Sequence, residues 1–293
     1  MRRLRDTVTV VTGASRGAGR GIARVLGEEG ATVYVTGRTT RDGPNPTGRP
    51  GTIDDTAQEV GDRGGTGIPV RVDHTDDAQV RALFDRVAAE QGRLDLLVSN
   101  AWGGYQRRVQ VTPPWELDPA HLDLMLQAGL RAHLLTVQRA APLLNATRDG
   151  LVVLTTWAVD LHRELGHGYH GNLYYDVVKT AINRIPVGLA QELAPSGVTV
   201  LAVAPGWMNT EAMDLPPELA AQTESPEFVG RAVAALAADP QVRRHTGTLR
   251  TVVELAAEYG FTDVTGRATS RFWESFQQGR DLGKEAASEQ ERH

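Results

Sequence analysis

The chain has 293 residues, 41% of them hydrophobic and 23% charged, with 31 glycines, a composition that builds a sizeable core and excludes a disordered chain. Its 31 basic and 36 acidic residues leave a net charge of -5 with both signs interspersed, so no nucleic-acid footprint forms. Cysteine is absent, which removes disulfides and thiolate metal sites and is compatible with a reducing cytoplasm.

The first residues, Met1 to Asp6, run straight into a short apolar stretch rather than a signal core. No apolar run approaches the roughly 18 residues that a membrane-spanning helix needs. The expectation is a soluble, cytoplasmic protein with no membrane or nucleic-acid partner.

Short runs rich in branched residues recur at Thr7 to Val11, Thr32 to Thr36, Ile68 to Val72, Leu94 to Val98, Leu151 to Thr155, Val198 to Ala204 and Leu249 to Val253. They read as strands buried on both faces. Between them lie stretches with helical spacing: Ile22, Val25 and Leu26; Val80, Leu83, Phe84 and Val87; Leu122 to Leu144; Val177 to Leu193. This alternation predicts an α/β fold, a doubly wound parallel sheet of about seven strands of the Rossmann type. A single domain over residues 1–275 is expected, with a polar tail at 276–293. The proline- and glycine-rich stretch Arg41 to Gly51 sits inside the repeating pattern and reads as a surface loop.

The first strand feeds Thr12-Gly13-Ala14-Ser15-Arg16-Gly17-Ala18-Gly19, and a helical pattern follows. Such a turn lets backbone approach a pyrophosphate, and the helix start offers unpaired N–H groups and the positive end of a dipole. The spacing is Gly-x-x-x-Gly-x-Gly rather than the usual dinucleotide fingerprint, and a merely tight βα turn is the bland alternative. The second strand ends at Thr36-Gly37-Arg38, where an NAD-preferring site commonly places a carboxylate for the ribose. Arg38, with Arg16 in the glycine turn, can instead pair with a 2′-phosphate, which favours NADP(H) over NAD(H). The alternative is two solvated surface arginines.

Tyr175 and Lys179 stand at i and i+4 on a helical stretch and so share one face. A neighbouring ammonium, with a positive nicotinamide, supports a phenolate, so Tyr175 is the candidate general acid for a carbonyl oxygen. Thr156, at the end of the fifth strand, places a hydroxyl where parallel sheets bind ligands, although threonines are also ordinary strand residues.

Together these residues resemble the short-chain dehydrogenase/reductase family over about residues 5–255. Thr12 to Gly19 matches its TGxxxGxG pattern and Tyr175 to Lys179 its YxxxK. Asp73 matches the acidic residue that contacts adenine, Asn100-Ala101 the centre of NNAG, and Pro205, Gly206 and Thr210 the PGxxxT element. Ala31 to Arg38, and the ending from Gly247 through Tyr259-Gly260 to Asp263-Val264-Thr265-Gly266-Arg267, resemble more narrowly the dehydrogenase/reductase member 1 subgroup.

The resemblance implies a carbonyl/alcohol oxidoreductase on a small-molecule substrate, assembled as a homodimer or homotetramer. Thr156, Tyr175 and Lys179 fall on its catalytic positions. Gly13, Ser15, Arg16, Gly17, Ala18, Gly19, Arg38, Asp73, Asn100, Tyr175, Lys179, Pro205, Gly206 and Thr210 fall on its cofactor side. Three departures stand out: Thr156 replaces the family serine, Gly129 the asparagine of a proton relay, and Trp102 the last glycine of NNAG.

Between Thr156 and Tyr175 the chain is longer than the family pattern, and the extra loop carries His162, His167, Tyr169 and His170. No completing ligand set is visible, so no metal is expected and a flexible substrate lid is the favoured reading. Trp102, Trp157 and Trp207 follow the ends of three different strands, the fourth, fifth and sixth, and are expected to rim an apolar substrate pocket, with Trp207 moving with the loop Met208 to Gln222; core packing is the alternative. A catalytically silent NADP(H) sensor is the rival from another class, although it has no need of Tyr175, Lys179 and Thr156. A sugar-nucleotide epimerase or dehydratase would carry a larger C-terminal lobe.

Overall fold

The computed structural model describes residues 3–277 except 44, 47, 108–111, 148, 158–171, 212 and 214. Seven strands, β1 (Val8–Val11), β2 (Thr32–Gly37), β3 (Thr66–Arg71), β4 (Leu96–Ser99), β5 (Leu151–Thr155), β6 (Thr199–Ala204) and β7 (Leu249–Thr251), form one sheet in the order 3-2-1-4-5-6-7. Every neighbouring pair is parallel. The expected doubly wound sheet is therefore observed.

Side chains of a strand alternate between faces, and both faces are buried. Val8 and Val10 of β1 enter one core with Val152 and Leu154 of β5 and Val200 and Ala202 of β6. Val11, Leu151, Val153, Leu201 and Val203 enter the other. That double burial is why the strands read as unbroken apolar runs.

The first face is covered by α3 (Asp77–Gln91), α5 (Ala132–Thr147) and α6 (Leu173–Glu192). Covering the second are α1 (Gly17–Glu28), α2 (Ile53–Asp62), α8 (Pro226–Ala237), α9 (Val252–Tyr259) and α10 (Arg271–Gln277). Two shorter helices, α4 (Pro119–Met125) and α7 (Pro217–Ala220), flank the ends of the strands. The order reverses between β1 and β4, which pair Val11 with Val98, so the crevice for ligands opens beyond their C-terminal ends.

Two expected elements differ. The helix anticipated over Leu122 to Leu144 is α4 and α5 joined by a π-helical stretch, Leu126–Arg131, a wide turn often found at functional sites. The strand anticipated to Val253 stops at Thr251, because Thr251 and Glu254 form a reciprocal capping box that starts α9 at once. Of the expected tail, residues 278–293 lie outside the described residues. No helix among the described residues is long and apolar enough to cross a membrane.

Candidate active site

The turn between β1 and α1 is held by a brace across three strands. The Thr12 hydroxyl accepts from the backbone N–H groups of Asn100 at 2.7 Å and Ala101 at 2.9 Å. Asn100 in turn donates from its side-chain amide to the Thr12 carbonyl at 2.9 Å, and its side-chain oxygen accepts from the Thr155 hydroxyl at 3.0 Å. Asn100 thus locks β1, β4 and β5 together beneath the crevice. The packing also explains two glycines. Gly13 has φ +64°, and a Cβ there would stand 2.9 Å from the Ala101 Cα; one on Gly19 would stand 2.4 Å from the Gly13 carbonyl. A cradle this close-built fits a phosphate-bearing ligand approached by backbone.

Gly17 opens α1, and its N–H donates to the Glu211 carboxylate at 2.8 Å. Glu211 follows Thr210, whose methyl group borders Gly17. Nothing in the spacing of PGxxxT signals that the next residue reaches the glycine turn.

Arg16 lies beside the turn, but its guanidinium is engaged. It donates to the carbonyls of Arg49 at 3.2 Å, Pro50 at 2.9 Å and Gly51 at 3.0 Å, and to the Thr39 hydroxyl at 3.2 Å. It therefore pins the proline- and glycine-rich loop against the glycine turn. Burial, followed by the positive charges of Arg49 and Arg38, lowers its pKa. Arg38 stands 3.7 Å from Asp73 across a cleft that Gly13, Ser15 and Ala101 also line. The Asp73 carboxylate is further held by the Thr75 hydroxyl at 2.8 Å and N–H at 3.0 Å.

α6 begins where it does because the Asn172 side chain accepts from the Tyr175 N–H at 2.9 Å, capping the helix. Tyr175 and Lys179 follow on one face. The Tyr175 and Tyr105 hydroxyls are hydrogen-bonded at 3.2 Å, with the rings stacked at 6.3 Å. Burial first, then Tyr105 and Asp176, hold the Tyr175 phenol well above its ordinary pKa. Burial also pushes Lys179, 6% exposed, down to about 7.

The Thr156 hydroxyl donates to the Asn183 side-chain oxygen at 2.5 Å, while the Asn183 amide donates to the Trp157 carbonyl at 3.0 Å. Among the described residues no hydrogen bond joins Thr156 to Tyr175. Asn183 escaped the sequence reading, although it continues the spacing of Tyr175 and Lys179 by one more turn.

The three tryptophans do not share a rim. Trp157 packs in the core, its ring stacked 6.2 Å from Trp273 and tilted 5.6 Å from Phe272, because α10 folds over the end of β5. Trp207 is partly buried against the same core. Its carbonyl accepts from the Glu224 N–H and the Glu224 carbonyl from the Asn209 N–H, both at 2.9 Å, so the expected moving loop is pinned at its base. Only Trp102 faces the Tyr175–Lys179 pair, with its ring edge-on to Tyr175 at 5.7 Å. Its indole fills the space beside Gly129, where a Cβ would stand 2.6 Å from the ring; an asparagine has no room there.

Glu224, 2% exposed, was also missed. Its carboxylate accepts from the Gly206 N–H at 2.9 Å and the Ser270 hydroxyl at 3.1 Å, tying the Pro205–Gly206 turn to the segment before α10. Burial raises its pKa to about 7. His162, His167, Tyr169 and His170 lie outside the described residues.

The model of the short chain dehydrogenase family matches residues 7–217. Dehydrogenase/reductase SDR family member 1 of Mus musculus is 36% identical over 289 residues, 92% of this chain and 87% of the relative. The cis-4-hydroxycyclohexanecarboxylate dehydrogenase of Sinomonas cyclohexanicum is 33% identical over 245 residues, 80% of this chain and 90% of the relative. A crystal structure of a dehydrogenase from Xanthomonas campestris superposes with a TM-score of 0.77 at 25% identity, covering 92% of this chain and 96% of that one. With its parallel sheet, braced glycine turn and Tyr175–Lys179 helix, the chain belongs to the short-chain dehydrogenase/reductase family, whose members are nicotinamide-dependent oxidoreductases of alcohol and carbonyl groups.

Proposed function

We propose that the protein is an NADP(H)-dependent oxidoreductase that interconverts a carbonyl and an alcohol, with Tyr175 handling the proton. The observation that carries this reading is the shared helix face of half-buried Tyr175 and buried Lys179, both against Trp102, which lines one cleft with Gly13 of the glycine turn. Gly13, Ser15, Arg38 and Asp73 line that cleft, and in this reading Ala18, Gly19, Asn100, Pro205, Gly206 and Thr210 complete the cofactor side, with Asp73 toward the adenine.

Burial keeps the Tyr175 phenol protonated at neutral pH, so in the reductive direction its O–H is ready to pass a proton to a carbonyl oxygen. Lys179 then faces the phenolate that remains and stabilises it by charge. When bound, the dinucleotide supplies the hydride in reduction and receives it in oxidation. Thr156, held on Asn183, serves the substrate oxygen by re-aiming its hydroxyl proton from the Asn183 oxygen to that atom.

The preference for NADP(H) is supported by the arginines near the end of β2. Arg16 lies within the fields of Arg49 and Arg38, and the Gly37-Arg38 dipeptide itself brings no carboxylate. Guanidinium groups suit a 2′-phosphate. The aromatic set of Trp102, Tyr105 and Tyr175 favours an apolar or ring-bearing substrate, in line with the ring-bearing alcohol in the name of the Sinomonas relative. Exposed Leu134 and Val187 on α5 and α6 support assembly into a homo-oligomer through these helices.

The test is a panel of ketones, aldehydes and quinones followed by cofactor absorbance. NADPH should outperform NADH, and Arg38→Asp should weaken NADPH far more than NADH. Equal losses for the two cofactors would overturn the 2′-phosphate assignment.

A further inference from the structure

Of the 31 basic residues of this chain only Lys179 and Lys284 are lysine. Lys179 is buried to 6% exposure, and among the described residues no carboxylate, carbonyl or hydroxyl accepts a hydrogen bond from its ammonium. A buried ammonium is costly unless something compensates its charge. Here the compensation is an aromatic face. The Lys179 Nζ stands 3.8 Å from the centroid of the Trp102 ring and 5.6 Å from that of Tyr175.

The chain is built around this indole. A Cβ on Gly104 would come within 2.5 Å of the Trp102 ring, and one on Gly129 within 2.6 Å. Gly104 is held in place by buried His121, whose Nε2 donates to its carbonyl at 2.6 Å. Gly129 belongs to the π-helical stretch between α4 and α5. Trp102 therefore occupies a slot flanked by two glycines, with its face toward Lys179 and its plane 87° from that of Tyr175.

We propose that Trp102 is a positioning residue for the proton-handling pair: its indole face favours the ammonium form of Lys179 and keeps that group in place next to Tyr175. Indole is the best aromatic partner for a cation, and the attraction grows as water is excluded. The titratable groups tied to the ammonium are Tyr175 and His133, which is kept neutral by burial and by Lys179 itself; Tyr105 and Asp176 act on Tyr175 in turn. The role in turnover rests on the function proposed above, but the ammonium–indole contact is measurable without any substrate.

Because the chain has only two lysines, protein labelled with 13C-lysine gives two ε-carbon signals, and that of Lys179 reports its protonation directly. Fluorotryptophans placed at position 102 keep the shape of the ring while draining its face of electron density. The expected result is a stepwise weakening of proton binding at Lys179 with each added fluorine, reaching about tenfold in Trp102→Leu. In parallel, kcat should fall and its pH profile should move with the Lys179 titration, while KM changes little.

A Lys179 titration indifferent to fluorination would overturn the proposal and leave Trp102 as filling alone. Should Trp102→Leu fail to fold, the near-isosteric fluorinated series still decides. If the Lys179 titration follows the ring but no variant, nor the parent, turns over any carbonyl substrate, the contact stands and the enzymatic reading is what fails.

Discussion

The Glu211 carboxylate accepts a hydrogen bond from the Gly17 N–H at 2.8 Å and pairs with Arg20 at 3.1 Å. It thus sits at the N-terminus of α1, where free N–H groups and the helix dipole attract an anion. In the proposed binding mode, a dinucleotide with its pyrophosphate on the same turn would compete with this carboxylate. Glu211→Gln should therefore bind cofactor about tenfold more tightly at low salt, near 1.4 kcal/mol, with the gain shrinking as salt rises. Calorimetric titration at two ionic strengths checks this, and an unchanged or weaker Kd would show that Glu211 does not compete.

Asn183 aims the Thr156 hydroxyl and the Trp157 carbonyl together. Asn183→Leu removes both partners from buried groups, at a cost of about 1–3 kcal/mol each, and releases Thr156 to other rotamers. Its melting temperature should drop by several degrees and kcat should drop more than tenfold, with cofactor affinity nearly kept. A stability loss with unchanged kcat would confine Asn183 to packing.

How far these features were legible in sequence follows from their range. β1, β2, β4, β5 and β6 were readable because burial on both faces leaves continuous branched runs, and the Tyr175–Lys179 pair because four-residue spacing is local. The break in the α4–α5 helix was not readable, since the wide turn at Gly129 is shaped by an indole that arrives from β4. Likewise, Trp157 was expected at a rim but is covered by α10, more than a hundred residues away along the chain. Glu211 and Glu224 look like ordinary surface carboxylates until the loop after β6 brings them to the glycine turn and to Gly206.

Two buried histidines set the acid limit of the fold. Burial lowers His74 to about 4, and its ring bonds the Thr36 hydroxyl at 2.8 Å. Burial, then Lys179 and His74, lower His133 to about 3; its ring bonds Ser99 at 2.7 Å. Both folded values lie below the unfolded value of about 6.5. Above that pH they contribute no pH dependence, and as pH falls below it only the unfolded chain gains protons. Stability should therefore decline from pH 6.5 towards 4, by up to about 1.4 kcal/mol per pH unit for each histidine. Urea melts at pH 7 and pH 5 should show His133→Gln losing less than the parent over this interval; equal losses would refute the assignment.

Proton delivery by Tyr175, with the cofactor held on the glycine turn, is tested most directly by removing one hydroxyl. Tyr175→Phe keeps the ring beside Trp102 and Tyr105 and removes only the hydroxyl. Measured with NADPH and the best carbonyl substrate of the panel, it should lose about a thousandfold or more in kcat while its cofactor Kd stays within about twofold. Turnover within tenfold of the parent would contradict the account.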